Sequence, residues 1–131
     1  MMLDSVQLDD QFEWVDEFDW DAVAQAQERS VTGVLLVQEG QKVHGRPITL
    51  QSNGGVWTPL SVVRQLEVLR DQLGRVMPIT LPDGREFSVI FDRTNGPPLT
   101  AKQLWRTTNP GPDELYDVSL RLITVAPPQA P

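Results

Sequence analysis

Hydrophobic and polar residues alternate along much of this chain, and one stretch breaks instead into a helical period. The alternation is clearest at Met77-Pro78-Ile79-Thr80-Leu81-Pro82-Asp83-Gly84-Arg85-Glu86-Phe87-Ser88-Val89-Ile90-Phe91. Pro82 presets φ for the first central position of a type I turn and Asp83 suits the second. Gly84 supplies the left-handed residue of the bulge that follows. Phe87, Val89 and Phe91 share one strand face, with Ile79 and Leu81 available opposite them. The stretch therefore predicts a β-hairpin that fixes its own register.

A second alternation runs from Tyr116 to Val125, with Tyr116, Val118, Leu120 and Leu122 on one face and Asp117, Ser119 and Arg121 on the other. Val31 to Val37 and Arg46 to Leu50 predict two more strands. Between them the polar Gln38–Gly45, with Gly40 and Gly45, predicts a loop or a loose hairpin connection. The Ala/Gln-rich Ala22–Glu28 predicts a short helix or turn, and Asn53-Gly54-Gly55 another turn. Thr100 to Trp105 fits either a helical turn, with Gln103 completing a capping box, or a short strand. Residues 126–131, rich in proline, predict an exposed tail.

The helical period falls at residues 59–73. Thr58 is placed to cap it, Pro59 suits its first turn, and Val62, Leu66, Leu69 and Leu73 recur at spacings of four, three and four. Gly74 is a natural left-handed stop. One amphipathic helix cannot bury its stripe alone, so it should cover a sheet. The expected fold class is mainly β, a β-sandwich or split barrel, with one flanking α-helix. The expected organisation is an acidic aromatic arm at 1–30, a β-rich domain at 31–125 and a tail at 126–131.

The arm carries a pattern of its own. Phe12, Trp14, Phe18 and Trp20 lie at even positions, while Glu13, Glu17, Asp19 and Asp21 lie at odd ones. This period of two predicts an extended segment laid on a surface, either its own core or a neighbouring subunit. Those four aromatics are the candidate subunit-interface residues. Charge sharpens the picture: of a net −7, the first 21 residues contribute −8 and the remaining 110 therefore +1. An acidic arm repels phosphate backbones, which argues against specific nucleic-acid binding.

Little in the chain points to chemistry. There is no cysteine, hence no disulfide, thiolate or Cys-based metal site. His44 is the single histidine, and no serine sits in a nucleophile elbow. The acids around Asp16–Asp21 lack the ligand order of a calcium loop, and neither a Gly-Lys-Ser/Thr nor a GxGxxG phosphate motif occurs. Trp57 and Trp105 are better read as edges of a small β core than as ligand platforms. The expectation is no catalytic residue, no metal, no cofactor and no enzyme activity. The apolar runs are too short to cross a bilayer and no signal pattern is visible, so a soluble product assembled in the cytoplasm is expected.

Taken in order, Gly45-Arg46-Pro47-Ile48-Thr49-Leu50, Trp57 before the helix, Ile79 through Val89, and Tyr116-Asp117-Val118-Ser119-Leu120-Arg121-Leu122 carry a resemblance. The chain resembles small tail and baseplate proteins of tailed bacteriophages. Its order is similar to the N-terminal domain of distal tail proteins and the related tail-tube fold. The likeness spans roughly residues 31–125, and the chain departs from full distal tail proteins in lacking a second, carbohydrate-binding or adaptor domain. The resemblance implies a non-enzymatic virion subunit in the tail, closing into a ring, commonly a hexamer, around the tail lumen at the tube–baseplate junction. Its partners would be itself and neighbouring tail-tube and baseplate proteins. A different class remains open: a monomeric acidic adaptor or inhibitor module that masks a basic partner.

Overall fold

A computed structural model describes residues 1–52, 57–94, 96–103, 111 and 114–127. The protein is mainly β with a single described helix. Its centre is β11 (Leu115–Thr124), whose strict alternation buries Tyr116, Val118, Leu120, Leu122 and Thr124. One edge of β11 pairs with β6 (Pro47–Gln51) and then β7 (Thr58–Pro59). The other edge pairs with β9 (Glu86–Phe91) and β10 (Leu99–Gln103). Each edge of β11 is thus paired by two strands successive in the described chain. The tract at 100–103, open to two readings from sequence, is a strand; Leu104 and Trp105 lie outside the described residues, as does the turn expected at 53–55.

The sheet continues outward from β9 through β8 (Met77–Thr80) to β1 (Met2–Leu3) and β2 (Val6–Gln7), and from β6 to β3 (Glu13–Trp14). Nine strands form this one sheet. Side chains from both of its ends join or pack on a single buried cluster, Leu3 and Val6 on one and Trp14 of β3 on the other, so the sheet curls around one core. The first residues are therefore part of this body: Leu3, Val6, Leu8 and Phe12 are all buried in it.

The 77–91 hairpin has the expected turn. The Gly84 N–H donates to the Leu81 carbonyl (3.0 Å), the Leu81 N–H donates to the Arg85 carbonyl (2.8 Å), and Gly84 sits at φ 93°. Ile79 faces Phe87 and Met77 faces Val89 across the ladder.

The helix is shorter than its sequence period suggests. α1 spans Leu60–Arg70, not 59–73. Thr58 lies in β7 opposite Tyr116 and makes no cap; Pro59, in an extended conformation, precedes the first turn with no side-chain bond. Val63, Leu66 and Leu69 form the buried stripe, Val62 packs at its margin, and Leu73 is fully exposed. The helix has already ended when the period would deliver Leu73 to the core. Gly74 takes the left-handed conformation expected of it, at φ 67°.

The largest departure lies at 22–45. Ala22–Glu28, expected as helix or turn, supplies β4 (Val23–Arg29). The partner β5 is Leu35–Gln41, so residues 31–34 form a turn, not the start of a strand, and the first half of the stretch expected as a loop or loose hairpin connection, residues 38–41, is ladder. The Ser30 N–H donates to the Val34 carbonyl (2.8 Å) and the Gly33 N–H to the Ser30 carbonyl (2.9 Å), closing that turn. Cross-strand pairing overrides the helix propensity of the Ala/Gln run.

Candidate functional site

The β4–β5 hairpin forms a sheet of its own, hydrogen-bonded to no other described strand. Every residue of both strands is exposed, including Val23, Leu35, Leu36 and Val37, with Val31 and Val34 exposed at the tip. The most apolar run of the chain is thus not core at all. A lone two-stranded hairpin is marginal in water, and a hairpin with two free edges and an apolar tip is a surface for association. Its inner pairs add modest support: the Gln25 side-chain amide donates to Glu39 Oε1 (2.8 Å), and that of Gln27 donates to Gln25 Oε1 (2.6 Å).

What holds the hairpin to the body is an alternating stack of cations and indole rings. Lys42 Nζ lies 5.7 Å from the Trp20 ring, and the Arg46 guanidinium lies 5.6 Å from Trp20 and 4.5 Å from Trp14. Arg85 follows at 5.4 Å on Trp14, whose edge meets Phe87 at 6.1 Å. Trp20 and Lys42 flank the two ends of the hairpin's root; Trp14, Arg46 and Arg85 belong to the body. Each such contact is worth about 0.5–2 kcal/mol, depending on how far it is removed from water. Arg46 also donates to the Glu17 carbonyl (2.7 Å), and Arg85 pairs with the Glu17 carboxylate (2.8 Å). Beyond the root, Gly45 (φ 94°) turns the chain back into the sheet, its N–H donating to the Thr124 carbonyl (2.9 Å).

An open groove of about 430 Å³ lies beside this root. Trp20, Val43, Phe87, Val125 and Pro127 give it apolar walls, while His44, Arg46 and Glu86 bring polar groups. His44 is exposed. Among the described residues no group of acids and histidine is placed to hold a metal ion, and no helix is long and apolar enough to cross a membrane.

The four interface candidates are placed differently from one another. Phe12 is buried in the core, and Trp14 packs against the core's margin and into the stack. Trp20 is half-buried at the hairpin root, and Phe18 is 91% exposed. The extended path ends after Trp14, where residues 15–18 turn and the Asp19 N–H donates to the Asp16 carbonyl (3.2 Å). The acids of this region are also partly occupied within the subunit: Asp4 with Arg75, Asp10 with the N-terminal amine, and Glu17 with Arg85. Sequence reasoning missed the hairpin and its stack. The one available signal was the set of Trp20, Lys42 and Arg46 flanking residues 23–41.

No family model matches this chain, and no curated protein or solved structure matches it.

Proposed function

We propose that this chain is a non-enzymatic structural subunit that closes into a ring, of the kind that builds bacteriophage tails and baseplates. The observation that carries this reading is the β4–β5 hairpin, exposed on both faces, apolar at its tip, and clamped at its root instead of hanging from a loose linker. Such an element gains its stability from a neighbour. The mainly β body with one helix supports the reading, since the stretches that carry the phage resemblance fall within it as β6, β8–β9 and β11. The hexameric state, the place at the tube–baseplate junction and the tail location follow from that resemblance. The acidic N-terminal region fits a lumen past which DNA slides without adsorbing.

Electron microscopy of the purified intact chain tests this. Closed rings with a central opening support it. Dispersed single subunits that instead bind a basic protein partner would favour the adaptor reading.

A further inference from the structure

We propose that the apolar tip of the β4–β5 hairpin of one copy seats in the groove at the hairpin root of the next copy. This inference rests on the self-assembly reading and names the contact that makes it. Knob and groove match in chemistry. Val31 and Val34 project from the tip, and Trp20, Val43, Phe87 and Val125 wall the groove. The charges match as well: Glu28 and Arg29 flank the tip, while Arg46 and Glu86 flank the groove, so each sign has an opposite to meet. The hairpin from 23 to 42 is neutral overall, with Glu28 and Glu39 offset by Arg29 and Lys42, so its approach to a copy of net charge −7 meets little repulsion.

Geometry makes the contact intermolecular. Each strand of the hairpin has seven residues, which at about 3.3 Å per residue separates tip from root by roughly 20 Å. The tip therefore cannot reach the groove of its own chain. A knob on one surface and a hole on another form a heterologous contact, and repeated heterologous contacts generate a ring when the rotation closes and a filament when it does not.

The test uses two full-length variants with substitutions at exposed positions. Val31→Asp with Val34→Asp spoils the knob, and Val43→Asp (residue 43 being 78% exposed) spoils the groove. Circular dichroism checks that both remain folded. By sedimentation, each variant alone should run as a monomer, while an equimolar mixture should form a one-to-one heterodimer. One intact knob and one intact groove remain in such a mixture, which is enough for a single contact. A wild type that assembles while either variant assembles equally well would overturn this contact and leave the ring reading standing. A mixture that stays monomeric would overturn it too; a groove variant that still associates alone while the knob variant does not would overturn it in favour of a tip-to-tip interface. A wild type that is monomeric at every concentration would remove both the contact and the ring.

Discussion

Asp16 takes both hydrogen-bond donors of Thr49. Its Oδ1 accepts from the Thr49 N–H at 2.9 Å and its Oδ2 accepts from the Thr49 hydroxyl at 2.7 Å. One residue earlier the Val15 N–H donates to the Thr49 carbonyl at 3.0 Å. A carboxylate thus replaces the strand backbone just where β3 leaves β6, and the chain turns toward the hairpin root. Hydrogen bonds to a charged group contribute about 1.5–3 kcal/mol when well protected, and less at a half-buried site. Asp16→Ala should lower unfolding free energy by about 1–2 kcal/mol. Because the turn feeds Trp20 into the stack, the tryptophan fluorescence should also shift in the native baseline. An unchanged denaturation midpoint would show that Thr49 is satisfied without it.

The turn at 82–84 makes its own demand. Gly84 stands at φ 93° with open space around it, so a side chain there meets backbone strain and no clash. Gly84→Val should cost roughly 1 kcal/mol or more. The Arg85 backbone N–H donating to Asp83, backed by the Arg85 side chain, holds the Asp83 carboxyl below its ordinary value. A depressed carboxyl contributes stability above its unfolded pKa and loses it as pH falls through the folded one. The turn should therefore weaken only in acid, below about pH 4. Asp83→Asn should flatten that part of the stability–pH curve, read by urea unfolding across the acid range.

Leu66 and Leu73 separate the helix that the period suggests from the helix that forms. Leu66 is fully buried and Leu73 fully exposed. Leu66→Ala should cost about 2–5 kcal/mol, and Leu73→Ala less than about 0.5 kcal/mol. Equal effects in thermal unfolding would restore the longer stripe.

How much was legible follows the range of the forces involved. The 77–91 hairpin was readable because Pro82, Asp83 and Gly84 determine the turn locally. β11 was readable because its alternation spans a whole strand buried on one face. The 23–41 hairpin was not, because Ala and Gln carry weak strand signals and Val34–Val37 looks like core by composition alone. Only tertiary context leaves that run exposed. The aromatic pattern at 12–20 signalled docking, but its period could not tell that Phe12 enters the core while Phe18 stays outside.

That distinction changes what a truncation means. Removing residues 1–21 deletes β1, β2 and β3 and takes Leu3, Val6, Leu8 and Phe12 out of the core. At about 1.5–3 kcal/mol per buried side chain, the loss is about 6–12 kcal/mol, comparable to the whole stability of an ordinary domain. The truncated chain should fail to fold cooperatively, as seen in a broad or absent thermal transition. Phe18→Ala, by contrast, should leave the transition within about 0.5 kcal/mol of wild type, since the ring touches water. A well-folded truncation would mean that the N-terminal strands are dispensable.

The most direct test of the account is the mass of the intact 14.7 kDa chain in solution as its concentration is raised. A structural ring subunit should pass from monomer to one closed species of fixed subunit number, with raised salt slowing association more than it weakens the finished ring. A chain that stays a monomer at every concentration, with its hairpin tip still open to solvent, would contradict it.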